Sequence, residues 1–208
     1  MSEGWTTLLF RTHADAFRFT DPANYSFTAG NLDLLELMAR AMLKPKALVS
    51  GEMYTATDEN GDLVGFTIWL PPGRKGLTTC EERQMGMYQF MESLSPEGKE
   101  YYANALGKQF PKVVDNFIGI EQAEKSTYYC SVAMVRADYQ GRGVLRALFE
   151  LVSPKAEELS APMALCTTNV RNVVIYEKLG FSMRGHQVMQ SPWGGWPVWV
   201  FSRGTETG

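Results

Sequence analysis

Between Val135 and Leu148 the sequence runs VRADYQGRGVLRAL, and this stretch limits the fold more than any other. The run TYYCSVAMV at residues 127–135 has the alternation of a strand, and the apolar residues from Arg142 to Leu159 have the period of a helix. A strand that opens a helix through a glycine-bearing turn gathers unpaired N–H groups at the positive end of the helix dipole. Anions, phosphate above all, bind at such points. Gly141 and Gly143 let a ligand approach the backbone without a Cβ in the way. Arg142 either adds charge or is a solvated side chain. A ligand-free helix-start turn explains a glycine pair about as often as not. No Gly-Lys-Ser/Thr follows and Gly-x-Gly-x-x-Gly is absent, which excludes the better-known phosphate loops.

The rest of the chain supplies a sheet for this elbow. Residues 31–43 have helical spacing with Asn31 as N-cap. Residues 51–73 read as a hairpin around Asn60-Gly61, closed by Pro71 and Pro72. From about residue 81 to 119 the pattern predicts an insertion of two helices, one starting at Ser95-Pro96, with a Met- and aromatic-rich stripe that reads as core. Pro154 predicts a kink or break in the helix after the elbow. A strand over 162–168, a short helix over 172–181 stopped by Gly180, and a strand pair over 183–190 and 196–202 follow. The order predicts one domain over residues 1–208 of class α/β (α+β), a mixed central sheet flanked by helices.

Composition narrows the partners. The net charge of −3 argues against a nucleic-acid binder. No run reaches membrane-spanning length, and the N-terminus lacks the pattern of a signal peptide. The three cysteines, Cys80, Cys130 and Cys166, lack metal spacing, so no metal site and a reduced, cytoplasmic compartment are expected.

Gln140-Gly141-Arg142-Gly143-Val144 resembles the Gln/Arg-x-x-Gly-x-Gly/Ala signature of the GNAT N-acetyltransferases. Residues 127–135 look like that family's fourth strand, and LCTTNVRNVVIYEKLGF (residues 165–181) looks like its fifth strand and following helix. The latter, with the closing VWVFSR, is most similar to the puromycin N-acetyltransferase type. The match covers about residues 127–203 and implies the GNAT fold, with the helical insertion ahead of the fourth core strand. It implies acetyl-CoA as co-substrate, its pyrophosphate held by the backbone of residues 140–145. Leu145 departs from the small residue of the signature, and Cys166 stands where puromycin-type relatives carry a glutamate.

The resemblance further implies that Ala133, Met134 and Val135 run along the pantetheine arm, with Asn169 and Asn172 nearby. Tyr176 falls at the family's general acid; the plainer reading is a packing tyrosine. A phenol suits the acid role because it keeps its proton at neutral pH. Asn169 or Asn172 caps the short helix, and Asn172 is also spaced to position Tyr176. Histone-type relatives place a glutamate where Tyr129 stands, so the strand itself offers no carboxylate base, and Glu52, Asp58, Tyr129 and the C-terminal region stay open as bases acting through water. Cys130 reads as an inert core thiol rather than a nucleophile. Trp193 and Trp196 with Trp69 either shape a pocket for an aromatic or apolar amine or close the sheet's open end. The function implied is acetyl transfer to a small-molecule amine in a ternary complex, by a monomer or homodimer. The alternatives are a protein lysine or N-terminal acetyltransferase and a non-catalytic CoA-binding module.

Overall fold

The computed structural model describes residues 21–204. The leader reading of the N-terminus and His13 lie outside these residues. The described chain builds a six-stranded mixed sheet in the order β1-β2-β3-β4-β6-β5. The strands are β1 (Glu52–Thr57), β2 (Leu63–Leu70), β3 (Tyr128–Val135), β4 (Met163–Thr167), β5 (Ser182–Met189) and β6 (Trp196–Arg203). Only β3 and β4 run parallel. The helix joining them is α8 (Val144–Glu158), preceded in the chain by α1 (Pro22–Phe27) and α2 (Leu35–Pro45). The insertion after β2 holds α3 (Cys80–Gln84), α4 (Met87–Ser93), α5 (Pro96–Tyr101), α6 (Phe110–Ile118) and α7 (Ala123–Ser126), and α9 (Val173–Lys178) follows β4.

Strand alternation sorts the core onto two faces. Tyr128, Cys130, Leu165 and Phe201 pack with Phe149 and Val152 of α8 and Tyr176 of α9. Their neighbours Tyr129, Ala164 and Val200 pack on the other face, against Val114 and Ile118 of α6 and Ala23 of α1. On that second face α2 covers Phe66, Ile68 and Met134 through Ala39 and Leu43.

The expected hairpin around Asn60-Gly61 is present, and two other local expectations are corrected. Asp58 organises the hairpin loop, its Oδ1 accepting from the N–H groups of Asn60 (3.0 Å) and Asp62 (2.9 Å). Gly61 supplies the left-handed residue there, at φ +82°. Helix α8 runs unbroken through Pro154. Proline deprives the Glu150 carbonyl of its donor, but both residues face solvent, where water replaces the bond. The insertion is more broken than two helices: Gly86, at φ +148°, separates α3 from α4, and a wide π-type turn over Tyr102–Gln109 joins α5 to α6. Ser95 caps α5 as expected, accepting from Gly98 N–H.

Candidate active site

The elbow is held from both sides. After β3, Arg136 pairs with Asp138 (2.8 Å) and lies over the Tyr139 ring at 4.6 Å; Arg142 covers the same ring at 4.8 Å. The Tyr139 hydroxyl donates to Asp58 at 3.1 Å, tying the elbow to the hairpin loop. Gln140 donates its side-chain amide to the Val135 carbonyl at 3.3 Å, which fixes the loop against the strand end. Gly141 and Gly143 have φ of +75° and +81°, and a Cβ on either would meet nothing within 4 Å. The glycines are therefore required by the backbone conformation, and the space in front of them is open. Helix α8 starts its ladder with Ala147 N–H on the Gly143 carbonyl, so the N–H groups of Val144, Leu145 and Arg146 precede its first internal bond.

The elbow faces a gap in the sheet. β3 and β4 pair only from Tyr128↔Met163 to Cys130↔Leu165. At the next position β3 bulges: Ile68 of β2 faces Val132 and Trp69 faces Cys130, which leaves Ser131 as the extra residue. A bulge bends its strand, and beyond it β3 and β4 part. On the side away from the gap, Ala133, Met134 and Val135 stay paired to Thr67, Phe66 and Gly65.

A cleft of about 510 Å³ occupies the gap. Of the residues implied by the resemblance, Ala133, Met134, Val135, Gln140, Gly141, Gly143, Val144, Leu145, Asn169, Asn172 and Tyr176 line it; Arg142 does not, because its side chain is turned onto Tyr139. Asn169 caps the turn Val170–Asn172. Asn172 donates to Thr167 Oγ1 at 3.0 Å instead of capping α9. Tyr176 is 7% exposed and packs on Phe201 with ring centroids 5.6 Å apart. Burial pushes its hydroxyl well above the usual phenol range, with Cys130 and Cys166 adding to the shift. Tyr176 lines the cleft and packs in the same core cluster as Cys130 of β3, and its hydroxyl is protonated at neutral pH.

Several lining residues escaped sequence reasoning. Arg146 reaches across the cleft mouth to the Lys178 carbonyl (2.8 Å), and with Lys178 puts two cations beside the elbow. Asp21 is the carboxylate among the described lining residues. Its Oδ1 accepts from Ala23 N–H at 3.0 Å as the cap of α1, and its Oδ2 accepts from the Thr168 hydroxyl just past β4. The Asp-Pro pair at the start of α1 is the signal for a capped helix; nothing in the sequence tells that the cap also borders a cleft.

Other candidates are placed elsewhere. Glu52 lies outside the cleft and accepts from Tyr54 (2.5 Å), Tyr128 (2.9 Å) and Lys155 (3.0 Å). Burial alone raises its carboxyl, but those donors outweigh burial and hold it below the ordinary range, a poor base. Asp58 is likewise held low: desolvation opposes, and the Asp62 N–H, Tyr139 hydroxyl and Arg136 prevail. Tyr129 is buried against the Cys166 thiol and pushed far above its usual value by that burial. Cys130 is pushed up by burial, in keeping with an inert thiol.

Trp69 and Trp196 are core residues, and neither they nor Trp193 line the cleft. Trp69 and Trp196 are both 0% exposed. Trp69 packs edge-on against Phe149 at 4.9 Å, because both faces of β2 are covered. Trp196 donates to the Tyr101 hydroxyl at 2.7 Å and packs on Phe27. Trp193 is partly buried and closes over Gly30, outside the cleft lining. Among the described residues, no group of three or more His, Cys, Asp or Glu is placed to hold a metal, and no helix is long and apolar enough to cross a membrane.

A scan against protein-family models finds no match. An uncharacterised N-acetyltransferase of Schizosaccharomyces pombe is 25% identical over 124 residues, 59% of this chain. The chain spans about half the length of that curated relative. Some solved structures match over nearly the whole chain. Arylalkylamine N-acetyltransferase 2 from Aedes aegypti is 14% identical with a TM-score of 0.60, covering 98% of this chain and 95% of that one. An apo mutant of agmatine N-acetyltransferase, also 14% identical, gives 0.54 over 98% and 96% of the two chains. A Desulfovibrio desulfuricans protein described as a GNAT-family acetyltransferase is 15% identical and gives 0.51 over 99% and 95%. The six-stranded sheet parted at β3 and β4, with a glycine elbow at the fork, is the fold of the GNAT acetyltransferases.

Proposed function

We propose that this chain transfers the acetyl group of acetyl-CoA to the amine of a small molecule by direct attack in a ternary complex. The observation that carries the proposal is the meeting, in one cleft, of the unpaired N–H groups of α8, the open strand β3 and the Tyr176 hydroxyl. The donor set fits the coenzyme: backbone N–H groups and two cations for the diphosphate, then a strand edge for the amide-bearing arm. Acetyl-CoA supplies the activated acetyl thioester when bound.

The protein's own groups divide the proton work. Asp21, fixed by Ala23 N–H and Thr168, receives the proton of the acceptor amine, directly or through one water. Tyr176 holds on its hydroxyl the proton that a departing thiolate needs; among the described residues that hydroxyl has no hydrogen-bond partner to give up first. With Cys130 and Cys166 kept as thiols by burial, an acyl-enzyme on cysteine is disfavoured. The neighbours that act on agmatine and on arylalkylamines support a small amine as acceptor.

The test is release of free thiol from acetyl-CoA across a panel of amines, for wild type and Tyr176→Phe. Turnover that collapses in the variant while acetyl-CoA still binds supports the reading. Tight coenzyme binding with no turnover on amines, peptides or protein tails would replace it with a non-catalytic CoA-binding module.

A further inference from the structure

The residue that opens the fork is held from the face of the sheet opposite α8. Ser131 is the extra residue of the β3 bulge. Its neighbour Cys130 packs under α8, while Val132 packs with Ile68 and Met134 on the face covered by α2. Ser131 Oγ accepts from the Lys46 ammonium at 2.6 Å. Lys46 opens a wide turn over Lys46–Ser50 at the end of α2, so Ser131 and Val132 share one face and interrupt the alternation of the strand. Were Ser131 drawn into a regular ladder, every later residue of β3 would turn to the opposite face. The edge from Ala133 to Val135 that lines the cleft would then be re-aimed.

The lysine itself has little freedom. Its carbonyl accepts from Gly51 N–H at 2.8 Å, and a Cβ on Gly51 would lie 2.7 Å from that carbonyl oxygen. A Cβ on Gly76 would lie 2.9 Å from Lys46 Cγ and 3.2 Å from its Cε, so the stem runs tightly along a residue that has no side chain. Burial lowers the pKa of the amine, and the carboxylates of Glu124 and Glu82 act against it. Glu82 is fixed at the start of α3, where its Oε2 accepts from the N–H groups of Thr78 (2.9 Å) and Thr79 (3.0 Å); its Oε1 is buried without a hydrogen-bond partner. The charge of Lys46 is compensated from the insertion, so what it supplies at the bulge is a fixed donor rather than a free cation.

We infer that Lys46 is a positioning residue of the coenzyme site: through Ser131 it fixes the β3 bulge and keeps the strand edge aligned for the amide-bearing arm. The inference rests on the acetyltransferase reading and extends it to a residue outside the cleft. Lys46 touches neither coenzyme nor acceptor and takes no part in the proton transfers.

The test is calorimetry with two probes: acetyl-CoA, which needs both the elbow and the open strand, and adenosine diphosphate, which needs the elbow alone. Lys46→Met and Ser131→Ala are each expected to raise Kd for acetyl-CoA about tenfold, the size of one charge-assisted hydrogen bond, and to leave Kd for adenosine diphosphate within about twofold. The double variant is expected to lose no more than either single one, because both remove the same contact. Ser131→Thr, which keeps the hydroxyl, is expected to bind acetyl-CoA like wild type. An unfolded Lys46→Met leaves the comparison of Ser131→Ala with Ser131→Thr to decide. The acetyl-CoA ratios decide even where adenosine diphosphate binds too weakly to be read. Unchanged acetyl-CoA binding in the single variants, losses that add in the double variant, or equal weakening of adenosine diphosphate overturns the inference alone. Wild type that does not bind acetyl-CoA overturns the acetyltransferase reading along with it.

Discussion

Gly143→Val separates the elbow's binding role from its role as a turn. Gly143 has φ +81°, and an added Cβ meets no atom within 4 Å, so the cost at the Cβ is conformational rather than steric. Holding an L-residue in the left-handed region costs roughly 1–2 kcal/mol. For a domain of this size each kcal/mol moves the melting temperature by about 2–4 °C, so a fall of about 2–8 °C is expected in a protein that remains folded. A valine that relaxes out of the left-handed region re-aims the N–H groups of Val144, Leu145 and Arg146. Losing two bonds to a charged phosphate, at about 1.5–3 kcal/mol each, removes about 3–6 kcal/mol. That is about 10²–10⁴-fold in Kd for CoA by calorimetry. Gly119→Val is the control: it has φ +75° and open space, but caps α6 away from the cleft. It should lower the melting temperature similarly and leave CoA binding alone. Gly143→Val that melts early yet binds CoA within about threefold of wild type would refute the reasoning, and the elbow would be only a turn.

Tyr176→Phe should lower kcat about 10²–10⁴-fold with Kd for acetyl-CoA little changed, read by single-turnover thiol release; a loss confined to binding would leave Tyr176 a packing residue. Asp21→Asn should cost about 10²-fold or more in kcat/KM, with the melting temperature reporting separately on the lost cap. Tyr102, Tyr128, Tyr129 and Tyr176 are all raised above the usual value of 10, burial being the first cause in each. Above that pH the unfolded chain releases phenolic protons that the folded chain retains, so stability should fall steeply as pH climbs past about 10; a melting temperature flat to pH 11 would contradict it. Gly185→Ala places a Cβ 1.9 Å from the Phe117 ring, an overpacking of about 1–3 kcal/mol visible as a lower urea midpoint. Burial pushes the Cys166 thiol up to about 12 and Cys130 is raised too, so iodoacetamide at neutral pH should label exposed Cys80 alone of the three, by peptide mass.

The part of the molecule legible in the sequence is the part where local signals agree. From Tyr128 to Arg203, alternation, helical period and the stops at Gly141, Gly143 and Gly180 all point the same way, and the strands and helices fall within three residues of expectation. Backbone-lined positions such as Ala133 and Val135 were reachable only through the resemblance, since a backbone role leaves no side-chain trace. Where meaning depends on packing, the sequence misleads. Trp69 and Trp196 read as well for a pocket wall as for a core, and the choice is made by helices laid over both faces of β2 and by Phe27 and Tyr101. Asp21 and Lys46 sit far in sequence from the residues they meet, Thr168 and Ser131, and only the closed sheet brings them to the fork. The insertion was over-simplified because Gly86 and the wide turn at Tyr102–Gln109 divide it in ways that helical period does not record.

The account turns on main-chain nitrogen meeting diphosphate, and a crystal structure with acetyl-CoA bound observes this directly. Diphosphate oxygens at about 2.7–3.2 Å from the N–H groups of residues 143–146, with the thioester sulfur beside the Tyr176 hydroxyl, is the predicted result. Coenzyme bound elsewhere, or an elbow left to solvent while the arm lies away from β3, would contradict it.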